Sequence, residues 1–350
     1  MKKESTSKFL RAGAFLLCVA ILLTFLTAFC QRKTYLEYWG AWNYMSKVNE
    51  FYALQDNTLD YLCVGSSHMY CSLNPLEVWD STGAAGFILA TQQQPLMASY
   101  YYIKEALKTQ SPKVVVVEAW MGTAEDSHDS AVLYDAIDPL KPSFNKLQMI
   151  RDLVPKGERK AYYFNLIKYH SRWQEITLSE IYAFVKSLFV KPVDTYRGFV
   201  ALDGDHETVN HLPDYDTVEA KPVSAYNAQI LANMKALIEA NGGEMVLLFG
   251  PYGTQEAEPI AAMKGMQQWA QENNVAILDY AQMLEDLSVD PKADYYDDGH
   301  LDVSGAAKLS RHFAQWLKER GIANTPGIDT EKWQADYNAY LAAFSADLST

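Results

Sequence analysis

The chain has 350 residues, 49% apolar and 21% charged, with a formal net charge of −13; this is enough for one large α/β domain carrying insertions. Residues 34 to 350 hold 24 basic against 42 acidic side chains, a balance of −18 that repels polyanions and removes nucleic acid as an expected partner. Of four cysteines, Cys18 and Cys30 lie in an apolar N-terminal run. The remaining pair is too few for a disulfide framework: a Cys63–Cys71 bridge stays open, although Cys63 reads as a buried strand residue.

The first element in chain order is "AGAFLLCVAILLTFLTAFC", residues 12 to 30, uncharged over 19 positions and close to the roughly 20 residues a helix needs to cross a bilayer. Lys2, Lys3, Lys8 and Arg11 precede it, and Arg32 and Lys33 follow, which places the N-terminus in the cytoplasm and the rest outside. A cleaved signal peptide would want small residues where Leu26-Thr27-Ala28 stands, and the bulky Phe29 before Cys30 opposes a lipoprotein site. The expectation is therefore a tip and uncleaved anchor over 1–33, holding an extracytoplasmic domain over 34–350 at the cell membrane.

Beyond an aromatic juxtamembrane stretch come apolar runs of strand length: Tyr61 to Val64, Gly86 to Ala90, Val114 to Ala119, Met245 to Gly250 and Val275 to Tyr280. Their unbroken apolar character suits strands buried on both faces, as in a parallel sheet covered by helices. Helical patterns lie between and after them at 96–109, 223–241, 257–273 and 303–320. The alternation predicts an α/β fold with a doubly wound parallel sheet. Residues from about 123 to 222 break the rhythm and read as an insertion over the sheet's edge that shapes substrate access. A Pro-Gly break and a further helical pattern from near Asp329 form a tail at about 321–350.

The chemistry gathers at two places. "GSSH", residues 65–68, ends the first strand, where ligands collect in parallel α/β sheets. A serine there needs a base within hydrogen-bond reach and a group to orient that base. Asp297-Asp298-Gly299-His300, just before the last core helix, offers an imidazole with Asp297, or alternatively Asp298, as its orienter.

Ser67 after Gly65-Ser66, together with Asp297-x-x-His300-Leu301 and Gly305-Ala306 on the following helix, resembles the first and last blocks of the SGNH (GDSL-like) hydrolase superfamily. The likeness covers the core at roughly 58–122 and 223–320, and omits the insertion and the tail. It implies a three-layer, flavodoxin-like sheet, Ser67 as nucleophile, His300 as general base and Asp297 as its partner. The single anchor makes the chain similar to members acting in cell-envelope acylation, such as the D-alanine transfer protein of teichoic acid synthesis. That implies a serine esterase or O-acyltransferase, an acylated glycan or envelope polymer as substrate, and a multi-span membrane O-acyltransferase as partner. A catalytically silent scaffold binding the same partners is the rival reading.

Three positions depart from the family pattern. Ser66 replaces the usual aspartate, the glycine block reads "ATQQQP", and the Gly-x-Asn block reads "EAWMGT". Oxyanion donors are then expected from the Ser67 amide and the Gln92–Gln94 loop, with Gln94 first and Gln93 next. His68 is expected beside the site without touching the reaction. His206 and His211 read as part of a solvated loop, so neither a metal nor another cofactor is expected. Tyr100 to Tyr102 read as core.

Overall fold

A computed structural model describes residues 2–31, 44–123, 130–190, 196–204, 208, 215–252, 257–323, 327–345 and 348. In chain order the elements are α1 (Lys2–Cys30), α2 (Tyr44–Phe51), β1 (Tyr61–Gly65), α3 (Ser67–Ser72), α4 (Pro75–Thr82), β2 (Gly86–Ala90), α5 (Leu96–Ala106) and β3 (Val114–Glu118). Then follow α6 (Ser130–Ile137), α7 (Phe144–Leu153), α8 (Arg159–Tyr163), α9 (Asn165–Tyr169), α10 (Leu178–Ser187), α11 (Ala225–Ala240), β4 (Glu244–Phe249), α12 (Ala257–Glu272) and β5 (Ala276–Asp279). The chain closes with α13 (Leu284–Leu287), a hairpin of β6 (Tyr295–Asp297) and β7 (His300–Leu301), α14 (Val303–Glu319) and α15 (Thr330–Phe344).

The five strands β1–β5 form one parallel sheet in the order β2-β1-β3-β4-β5. All five were foreseen, with ends displaced by one residue or so. Alternate residues feed two separate cores: Tyr61, Cys63, Val114 and Val116 pack with α4 and α14 on one face, while Leu62, Val64, Val115 and Val117 pack with α5 and α11 on the other. Double-sided burial explains why the strands read as continuous apolar runs. After β1 the chain adds β2 on one side and later β3 on the other, so the carboxyl ends of β1 and β3 flank the crevice where ligands gather in such sheets.

Helix α1 is the element long and apolar enough, among the described residues, to cross a membrane. The segment returning from the insertion lies along the β2 edge. There the Ile88 amide donates to the Arg197 carbonyl at 2.9 Å, and Gly198, at φ +88, has no room for a side chain because a Cβ would meet the Ile88 oxygen at 2.2 Å. The tail helix α15 packs on α4, with Trp333 stacked on Trp79 at 5.8 Å. Tyr101 and Tyr102 are core, whereas Tyr100 is only partly buried. Cys63 and Cys71 are buried and unbridged.

Candidate active site

The end of β1 is built around a glycine. Gly65 has φ +157, and a Cβ on it would stand 2.2 Å from the Glu118 Cβ on the neighbouring strand, so no larger residue fits without displacing one strand end. Ser66 follows as the cap of α3. Its hydroxyl accepts from the His68 amide at 3.4 Å and its own amide donates to Glu118 Oε2 at 3.2 Å. Ser66 is thereby committed to the start of α3 and to Glu118. Ser67 occupies the first helical position, where its amide has no acceptor within the helix.

The β6–β7 hairpin brings the second group of residues to α3. Asp302 caps α14 by accepting from the Ser304 and Gly305 amides, each at 2.9 Å. The Asp302 amide donates in turn to the Asp294 carbonyl at 3.1 Å, closing the hairpin onto the helix. Gly305 is needed there, since a Cβ would meet the Asp294 oxygen at 2.4 Å. At the tip, His300 Nδ1 lies 2.8 Å and 3.0 Å from the two Asp297 oxygens, and Asp297 also accepts from the Gly299 amide. Asp298 turns the other way and accepts from Thr208 at 2.8 Å. The choice between adjacent carboxylates is therefore settled by geometry: Asp297 orients the imidazole, leaving Nε2 buried on the opposite side of the ring.

His68 joins the two halves. Its ring lies 5.3 Å from that of His300, 22° from parallel, and 5.2 Å from Tyr252. Trp120 packs behind Tyr252 and donates to the Gly250 carbonyl at 3.2 Å. Ends of β1, β3 and β4 and the hairpin thus converge on one spot.

Gln94 does not serve as expected. Its side-chain amide donates to the Leu89 carbonyl (3.4 Å) and Ser99 (3.0 Å), its Oε1 accepts from Thr91 (3.2 Å), and its backbone amide donates to the Thr91 carbonyl. Every donor it has is used to hold its own loop, so it has none left for an oxyanion. Gln93 is exposed at a left-handed φ of 46°. His206 and His211 lie outside the described residues.

No family model matches the sequence, and no curated protein matches it. Among solved structures, BT4096, a gut microbial diltiazem-metabolizing enzyme, aligns at 11% identity with a TM-score of 0.31. The alignment covers 77% of this chain and 48% of that one, so the chain spans about half the length of that protein.

Two further groups at the site were not foreseen. Burial pushes the Glu118 carboxyl up to about 7, against the Ser66 hydroxyl and the Ser66, Trp120 and Met121 amides that favour its charged form. A glutamate ending the run "VVVVE" on a strand covered on both faces was the sign available in the sequence. Lys47 is the other: it comes from α2, is buried, and donates to the Ala90 carbonyl at 3.1 Å, beside Gly65 in the sheet register.

Burial also pushes His68 down to about 3; His300 adds to the fall, while Asp297 and the Gly299 backbone oppose it. A histidine held neutral in the fold but protonated below about 6.5 when unfolded stabilises fully above that pH and progressively less down to about 3. Because the ring is not wholly out of water, the expected loss is about 2 kcal/mol. Thermal midpoints measured between pH 7 and pH 4 should fall more steeply for the wild type than for His68→Gln.

Proposed function

We propose that the protein is a membrane-anchored serine esterase or O-acyltransferase of the SGNH type, acting on acyl esters of cell-envelope glycans or polymers. The observation carrying this reading is the Asp297–His300 pair, docked by the hairpin against the helix that starts at Ser67. The strand order and the helices on both faces support a three-layer, flavodoxin-like sheet of that superfamily. The apolar helix Lys8–Cys30, the one of that kind among the described residues, supports a membrane anchor, and the bulky Leu26 and the flanking basic residues are the reasons for reading it as uncleaved with the α/β body outside the cell.

In this reading Ser67 Oγ attacks the acyl carbonyl and its proton passes to His300 Nε2, while Asp297 holds Nδ1 and stabilises the imidazolium. Collapse of the tetrahedral intermediate breaks the ester bond, and the departing alcohol takes that proton. Water or a glycan hydroxyl then gives its proton to His300 and attacks the acyl-serine, releasing acid or a new ester. The Ser67 amide supplies one oxyanion donor. His68, held neutral, places no second positive charge beside the imidazolium.

The test is covalent. The full-length chain in detergent should react with a fluorophosphonate at Ser67, with the adduct located by peptide mass. A folded wild type that takes no label would reject the reading. It would advance the alternative favoured by the committed Gln94, a silent scaffold for a polysaccharide or a multi-span membrane O-acyltransferase.

A further inference from the structure

Helix α1 does not stand apart from the body. Its last turns pack against α9, α10 and residues 170–174 between them. Phe184 of α10 meets Phe25 and Phe29 edge-on, at 5.3 Å and 5.5 Å. Arg172 donates to the Cys30 carbonyl at 2.8 Å, satisfying a helix-terminal acceptor, and pairs with Glu180 at 2.7 Å. The insertion is fastened to the anchor by packing and by a neutralised charge pair.

That fastening sets a depth. At about 1.5 Å per residue, Phe25 and Leu23 lie about 8 and 10 Å inside the Cys30 end of α1. With Lys8–Cys30 as the span, which is the anchor reading of the previous section, both belong to the hydrocarbon of the leaflet facing the α/β body. Elements touching them lie at comparable depth.

The chemistry of those elements matches. On α10 the inward face carries Glu180, Ala183 and Phe184, whereas Leu178, Ile181, Tyr182 and Val185 form an exposed stripe at helical spacing that Phe189 extends in the turn beyond it, with Lys186 the exposed charge at the helix's last turn. Leu178 is 85% and Phe189 83% exposed. A helix facing water would show the reverse polarity. Phe164 and Trp173 are also exposed beside α1, and Trp and Tyr suit the membrane–water boundary. Between α1 and helices α7–α9 lies a cavity of about 1170 Å³, lined by Leu23, Thr27, Leu147, Ile150, Phe164 and Ile167 among others.

We infer that α9 and α10 sit in the bilayer beside α1, their outer faces covered by lipid. The exposed stripe continues the apolar surface of α1, and the same lipid covers both. The insertion is then a membrane-seated platform beneath the sheet.

The test uses the full-length chain in phosphatidylcholine/phosphatidylglycerol nanodiscs, on a Cys18→Ala/Cys30→Ala background. Single nitroxides are placed at Val185→Cys, Phe189→Cys, Leu17→Cys within α1, and Glu272→Cys on an exposed helix end of the body. Collision with oxygen reports lipid, and collision with a water-soluble nickel chelate reports water. Positions 185 and 189 should show an oxygen-to-nickel ratio several-fold above that of position 272, on the side of position 17. Ratios like that of position 272, with position 17 still in lipid, overturn the platform and leave the anchor standing. A water-exposed position 17 overturns both, and exclusion of both relaxants at 185 and 189 overturns lipid as the cover in favour of a protein.

Discussion

Replacing Ser67 with alanine is expected to lower kcat for a p-nitrophenyl ester by roughly 10⁵- to 10⁶-fold, down to what binding and the oxyanion donors alone provide. Ser66→Ala should retain turnover within about tenfold, because Ser66 caps α3 and alanine keeps its amide bond to Glu118; the lost cap and hydroxyl contact with Glu118 cost about 1 to 2 kcal/mol of stability. His300→Ala should match Ser67→Ala, and the double variant should be no worse than either, since the two groups act as one unit. Asp297→Asn, which turns an acceptor toward Nδ1 into a group that can also donate, should cost about 10⁴-fold. Asp298→Asn should cost little, because its carboxylate faces Thr208. Steady-state kinetics on the six variants checks the pattern, and equal losses in Ser66→Ala and Ser67→Ala would contradict it.

Arg197→Met is expected to destabilise the fold by about 3 to 5 kcal/mol, the usual result of removing one member of a buried ionic group. Arg197 is 2% exposed; it donates to Glu50 at 2.9 Å and to Asp336 at 2.5 Å, and its guanidinium lies 4.6 Å from the Trp333 ring centre. Three remote segments meet in it: α2, the return from the insertion, and α15. Methionine fills the volume but leaves Glu50 with only Lys332, at 3.5 Å, in the pairing now provided by both cations. Adding Glu50→Gln and Asp336→Asn removes the stranded charges and should recover more than half of the loss. Thermal unfolding of the single and triple variants measures both effects.

The core was legible because burial on two faces writes strands as unbroken apolar runs, and "VVVVE" or "GFILA" admits few other readings. The position of Ser67 was readable for a similar local reason, since it follows a strand end, where a parallel sheet gathers its chemistry, whereas the hairpin that carries Asp297 and His300 to α3 lies outside that sheet and was legible only as a short Asp-x-x-His spacing. What failed to show were properties decided by direction. Asp297 and Asp298 are neighbours, and only the hairpin turn sends one to His300 and the other to Thr208. Gln94 has the donors an oxyanion needs, but the loop spends them internally. The amphipathic pattern of α10 is the same string whichever face is turned inward, so its reversed polarity became visible only once Phe184 was seen against α1.

The hydrogen bond from Arg172 to the Cys30 carbonyl spans 142 residues of sequence. A catalytic body hung from a bilayer by slack chain would sweep a hemisphere, and its mouth would meet the membrane at every angle. Here the outer end of α1 is bolted to the body itself, so with α1 in a bilayer the end of β1 is held at one standoff and one tilt, and the proposed nucleophile with it. On the proposed function, substrates held in the same membrane would be met by lateral diffusion in two dimensions, which raises their effective concentration, whereas a polymer in bulk solution would gain nothing from the arrangement.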